Sequence, residues 1–186
     1  MVKVRQFILT ILILAACLVI QTVLIPHIAI ADAKPNLMII AVVTFSFIFG
    51  DKAGIFIGFL AGILCDILFG GVVGFYALVM ALIGYVCGKL KRLLYIQGLW
   101  FPIFAIAISD LAYSFLCYVF LFLIRNRIIF RAFFYGLMLP EAIYTAAVAL
   151  IFYPLLMFLY GRFMEENRAV VLSSLPPETL EKKPEQ

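Results

Sequence analysis

Six apolar stretches follow one another between residues 7 and 160, each about 15 to 29 residues long and separated only by short charged or glycine-rich breaks. A helix of about 20 apolar residues crosses the ~30 Å hydrocarbon core of a bilayer. A water-soluble fold would need polar faces on most of these stretches, and they have few polar residues to supply them. The chain is 67% hydrophobic and 13% charged, against roughly 45–50% and about 25% in soluble domains. Its mean hydropathy of +1.20 also excludes disorder, which goes with low hydrophobicity and high net charge. Twelve glycines and eight prolines without a period exclude a collagen-like repeat. The fold expected is an all-α integral membrane protein, a compact bundle of about six transmembrane helices. Any chemistry must then lie inside the bilayer or on very short loops.

The first span covers residues 7–30, after Lys3 and Arg5. Leu14-Ala15-Ala16-Cys17 imitates a lipoprotein cleavage box, but the chain stays apolar beyond Cys17, so an uncleaved span is expected. Pro26 and His27 fall near its far end, where a lone histidine reads as an interfacial residue. Residues 31–34 make a short polar loop, and Pro35 suits a first helical turn, where its missing N–H is no loss. The second span, 36–50, is short: at 1.5 Å per residue it reaches only ~22 Å. It is expected to lie partly in the interface or to pair with the third span as a hairpin. The third span, 53–69, is broken from the fourth, 72–88, by Gly70-Gly71. Lys89, Lys91 and Arg92 form a basic loop, and Tyr95 and Trp100 anchor the fifth span, 99–124, at the interface. Arg125, Arg127 and Arg131 form a second basic loop before the sixth span, 132–160, where Pro140 and Pro154 predict kinks. Residues 1–168 thus make one transmembrane domain, and the Pro-, Glu- and Lys-rich segment 169–186 reads as a disordered cytoplasmic tail.

Orientation follows from the basic residues. With the N-terminus inside, Lys3, Arg5, Lys52, Lys89, Lys91, Arg92, Arg162 and Arg168 lie on the cytoplasmic side, against Lys34, Arg125, Arg127 and Arg131 outside. That excess puts both termini in the cytoplasm. The formal charge of +4 accordingly reads as membrane orientation, not as affinity for nucleic acid. The outer arginine triplet is either a solvated loop or a contact for anionic headgroups or an acidic partner. Cys17, Cys65, Cys87 and Cys117 sit apart inside apolar runs, without the paired spacing of a metal site, and are expected as small buried hydrophobes.

The informative constellation is a stripe: Gly54, Gly58, Gly62, Asp66, Gly70 and Gly74 recur every four residues. Successive members turn by about 40° on an ideal helix, so they wind slowly along one face. Glycine faces let membrane helices approach closely, which predicts tight internal packing or docking of a partner helix. Asp66 interrupts that face, and an embedded carboxylate costs about 2.5–3.5 kcal/mol at mid-bilayer. Asp110 and Glu141 are embedded too, with Ser109 beside Asp110 and Tyr113 three residues on. No lysine, arginine or histidine stands at midspan to pair with these acids. Structural hydrogen bonding or partner docking is the leading reading, with a proton or ion pathway behind it. No GxSxG, HExxH or Walker loop is present, so no enzyme, metal or cofactor is expected.

Pro35-Asn36-Leu37, then Gly54-x3-Gly58-Phe59-Leu60-Ala61-Gly62-x3-Asp66, Gly70-Gly71-x2-Gly74-x2-Ala77-Leu78 and Gly84-Tyr85-x2-Gly88 form a string that resembles the MreD family of rod shape-determining proteins of the bacterial inner membrane. The resemblance implies a non-enzymatic subunit of the machinery that directs lateral peptidoglycan synthesis. Its implied partners are a bitopic MreC-like protein, the glycosyltransferase RodA, a class B penicillin-binding protein and, indirectly, the actin-like MreB. The family is also similar in fold to the substrate-binding subunits of energy-coupling-factor transporters. That likeness supplies the alternative, a vitamin-type transport subunit with a cavity near Asp110, Tyr113 and Glu141. The arginine triplet and the tail match nothing in the family string.

Overall fold

The computed structural model describes residues 2–23, 34–69, 74–93, 100–125 and 130–174. Apart from residues 34–36, Gly50 and Gly74, those residues are helical, with no strand among them: α1 (Val2–Val23), α2 (Leu37–Phe49), α3 (Asp51–Phe69), α4 (Phe75–Leu93), α5 (Trp100–Arg125) and α6 (Phe130–Phe133). A π-helical turn, Phe134–Met138, joins α6 to α7 (Leu139–Ser174).

The bundle is organised around its shortest long-range element. α2 reads LMIIAVVTFSFIF and is apolar on every side, and such a helix is stable only when surrounded. Leu37 to Phe47 are all buried, with α1, α3, α4, α5 and α7 packed around them. Its two hydroxyls turn inward on the backbone: Thr44 donates to the Ile40 carbonyl and Ser46 to that of Val42, each at 2.6 Å. The sequence expectation for this short span was a partly interfacial position or a hairpin with the third; α2 does pack on the α3 that follows it, and the structure also surrounds it with four further helices, at the centre of the bundle.

Burying a ~20 Å helix exposes its end groups to apolar surroundings unless side chains reach them. Three elements do so at the N-terminus. Asn36 accepts from the Ile39 N–H at 3.3 Å, Gln21 of α1 from Met38 at 3.0 Å, and Thr145 of α7 from Asn36 at 3.0 Å. At the other end the Lys91 ammonium of α4 donates to the Phe47 carbonyl, a cation at the negative end of the helix dipole. Gly50 then takes φ +88°, which L side chains rarely adopt, and donates to Ser46 at 2.9 Å.

The helices alternate in direction. Phe47 stacks on Phe101 at the start of α5, and Phe45 and Phe49 meet Tyr160 late in α7. The outer helices each turn an apolar stripe away from the core, Trp100, Phe104, Ile108, Phe115 and Val119 on α5 being one example. The ring around α2 is open at one place: α1 packs on α2 and α3, α7 on α2 and α5, and the two share no more than a marginal contact among the described residues. Trp100–Phe120 and Phe134–Gly161 are long and apolar enough to cross a membrane, and Phe7–Val23 and Leu37–Phe49 are shorter apolar helices.

Three boundaries differ from the sequence reading. α4 begins at Phe75 and runs on to Leu93, taking the basic residues Lys89, Lys91 and Arg92 into the helix. α7 continues to Ser174, into the segment expected as a tail. Before Pro140 the chain widens into the π turn, with the Leu139 N–H bonded to the Phe134 carbonyl. Proline has no N–H, and its ring collides with the carbonyl four residues back; the wider turn relieves both problems. α7 carries Pro154 within its length, on the exposed side. Pro26, His27, Gly70, Gly71, Tyr95 and Arg127 lie outside the described residues.

Candidate functional site

The glycine stripe of α3 packs against α4, the helix that follows it. A methyl group placed on Gly54 would strike the carbonyl of Gly84, one on Gly58 that of Met80, and one on Gly62 the backbone of Ala77. The contact is reciprocal: a methyl on Gly84 would strike Gly54, and one on Gly88 would lie 2.6 Å from Asp51 Cα. Backbone meets backbone along the full hairpin, as small residues permit. Each of these positions tolerates nothing larger, because main chain cannot swing aside as a flexible side chain can.

Asp66 closes the far end of that hairpin. Its carboxylate, 6% exposed, accepts from the N–H groups of Gly74 at 3.0 Å, Tyr76 at 3.1 Å and Ala77 at 3.2 Å. Those are orphan donors of the first turn of α4, where the helix dipole also favours negative charge. A carboxylate reaching from α3 to the start of α4 thus acts as a cap. Gly74 allows the geometry by taking φ +97°. Gly70, which continues the stripe in sequence, lies outside the described residues.

The other two embedded acids meet elsewhere, between α5 and α7. Asp110 and Ser114 are four residues apart on α5, and Glu141 and Thr145 are four apart on α7, so each pair shares a helix face. Because the helices run antiparallel, the pairs cross: the Ser114 hydroxyl donates to Glu141 Oε2 at 3.3 Å, and Asp110 faces Thr145 and Glu141. Asp110 is 0% exposed, and neither of its carboxylate oxygens has a hydrogen-bond partner among the described residues. Beside it Ser109 meets the Cys87 thiol at 3.2 Å, and Tyr113 packs against Tyr76 at 6.1 Å between ring centroids. The sequence reading set Ser109 and Tyr113 beside Asp110 and missed Ser114; the acid-x3-hydroxyl spacing shared by the two helices is the signal that could have found the cluster. Asn36 and Gln21 gave no comparable signal, since their roles exist only where α2 ends against its neighbours.

The remaining predicted residues are spread apart. Lys89 lies 5.5 Å from the centroid of the Tyr85 ring, while Lys91 closes α2 as described. Arg131 is exposed in α6. A cavity of about 390 Å³ opens beside Gly50, Asp51, Gly88 and Lys91, at the opposite end of α2 from Asp110, Tyr113 and Glu141. Cys17, Cys65 and Cys87 are buried and Cys117 is partly so, all as free thiols. Among the described residues no three histidine, cysteine or acidic side chains come together in a group that could hold a metal ion.

A family model for the rod shape-determining protein MreD matches residues 1–163. No curated protein and no solved structure matches the chain.

Proposed function

The chain belongs to the MreD family of rod shape-determining proteins, and from that membership we propose that it is a non-enzymatic scaffold of the bacterial cytoplasmic membrane. In this reading six helices cross the bilayer, both termini are cytoplasmic, and the protein organises lateral peptidoglycan synthesis by docking the helices of its partners. Those partners are a single-pass MreC-like protein, a RodA-type glycosyltransferase with its class B penicillin-binding protein, and MreB filaments indirectly.

The observation that supports a docking role is the open seam between α1 and α7. The glycine stripe is already filled from within by α4, which leaves close packing with a partner to the outer helices. The two helices that border it carry outward apolar side chains, among them Leu12 and Val19 on α1 and Ile151 and Phe158 on α7. A single apolar helix lying there would complete the ring around α2. Packing, not hydrophobicity, would have to drive the association, since lipid tails are as apolar as these side chains.

Photo-crosslinkers at Leu12, Val19, Ile151 and Phe158 in native membranes test this, with Leu82 on the outward face of α4 as the comparison. The expected result is a crosslink to one single-pass partner from the seam positions and not from Leu82, together with recovery of elongation-machinery proteins on purification. Crosslinks to lipid alone, or equal crosslinks at all five positions, would refute it. The competing reading, a substrate-binding transport subunit, draws on the buried polar cluster of α5 and α7. Recovery of paired ATPases with a membrane coupling subunit would establish that reading instead.

A further inference from the structure

The three embedded acids are not equivalent, and the unsatisfied one carries a second inference that the scaffold role does not require. An ionised carboxylate buried without donors is among the most costly arrangements a protein can hold, and a second carboxylate beside it raises the cost through like-charge repulsion. Asp110 stands in that position, fully buried, unpartnered among the described residues and facing Glu141. Of the donors nearest in the architecture, the Thr145 hydroxyl faces Asp110 without closing a hydrogen bond, and the others are engaged. The N-terminal amides of α2 go to Thr145, Gln21 and Asn36, and the Ser114 hydroxyl goes to Glu141.

No described neighbour supplies the missing positive charge. α2 has no charged residue, and α4 contributes the Cys87 thiol against Ser109 and, further along, Tyr76 against Tyr113. α7 contributes Glu141, and α5 itself adds Cys117 and Tyr113. What the cluster offers is a set of hard oxygens from two carboxylates and two hydroxyls, on two helices that meet in the interior. Oxygen ligands of this kind suit hard cations. The π turn ends just before Pro140 and Glu141, and such turns recur at functional sites.

We propose that Asp110 and Glu141, with the hydroxyls of Ser114 and Thr145, bind one small hard cation, a proton or an alkali ion, inside the α5–α7 interface. Occupancy removes one of the two negative charges between the helices, and with it their mutual repulsion, and so governs how tightly they pack.

A lipid-soluble carbodiimide tests this on the full-length protein in nanodiscs. The protonated carboxyl adds to the reagent, its oxygen bonding to the central carbon and its proton passing to a nitrogen; an ionised or ion-bound carboxylate does not react. Labelled sites are read by peptide mass spectrometry across about pH 5 to 9 in choline, sodium and potassium chloride. If the cation is a proton, labelling of Asp110 or Glu141 falls about tenfold per pH unit above its midpoint, equally in all three salts. If it is an alkali ion, that ion alone suppresses labelling at constant pH, about tenfold at ten times its dissociation constant, and raises the melting temperature. Asp66, held by three backbone donors, serves as the comparison site. Asp110→Asn moves the midpoint of Glu141 to lower pH or removes its ion response, and Glu141→Gln does the same to Asp110; either variant decides the matter if the other fails to fold. Absence of labelling at both acids, or labelling indifferent to pH and ion, overturns the proposal.

Discussion

The α3–α4 hairpin and the α5–α7 pair each contain an acid within an apolar run, and they accommodate it in opposite ways. In the hairpin, the helices touch main chain to main chain through glycine, and Asp66 is met by three backbone N–H groups. In the α5–α7 pair, Glu141 receives one hydroxyl and Asp110 receives no donor among the described residues. The first arrangement is closed: both oxygens of the carboxylate are met by backbone donors. The second leaves an acceptor over. The difference teaches that an embedded acid is not in itself a functional mark. Asp66 is explained once the donors around it are counted, and Asp110 is left unexplained by the same count.

The comparison can be broken most sharply at Gly58. Gly58→Leu drives a side chain into the Met80 carbonyl, so the cost should exceed the roughly 1–3 kcal/mol of ordinary overpacking. Loss of the monodisperse species in detergent is the expected outcome, and Gly84→Leu should reproduce it from the other helix. Normal melting of both variants would show that the hairpin is not closed by main-chain contact.

Asp66→Ala comes next. A lost cap costs about 0.5–2 kcal/mol, and buried donors left unmet add about 1–3 kcal/mol. Asp66→Asn should recover part of the loss, because asparagine caps about as well as aspartate; equal melting of the Ala and Asn variants would break the capping argument. Thr145→Val keeps the shape but removes the acceptor for the Asn36 N–H, with an expected loss of about 1–3 kcal/mol and faster hydrogen exchange at Asn36. Asp110→Asn should cost about 1 kcal/mol or less, since no hydrogen bond is given up; a melting temperature as low as that of Asp66→Ala would make Asp110 a structural anchor and erase the contrast. The smallest effect has the opposite sign. Gly161 has nothing within 4 Å of an added methyl, so Gly161→Ala should stabilise α7 by up to about 1 kcal/mol, a small upward shift in melting.

Much of the architecture was legible in the residues. Apolar run lengths marked the helices, and the four-residue glycine period marked a close-packed face, because both are properties of single helices. The site was legible only in part. Asp66, Asp110 and Glu141 stood out as acids in apolar runs, yet the same observation covered a cap and an unpaired group alike. α2 was read as marginal for its length, when its uniform apolarity was the sign of a core helix.

From the sequence alone came the helical character of the chain, its high apolar content, the smooth face of α3 and the family to which it belongs. Local spacing and composition settle such matters, since they depend on neighbours within a few turns. Tertiary structure alone decided that the glycine face meets α4, that α2 lies at the centre, and that Asp66 finds donors while Asp110 finds none among the described residues. A buried polar group is satisfied or stranded by atoms that arrive from other helices, and only the packing of the whole bundle brings them there.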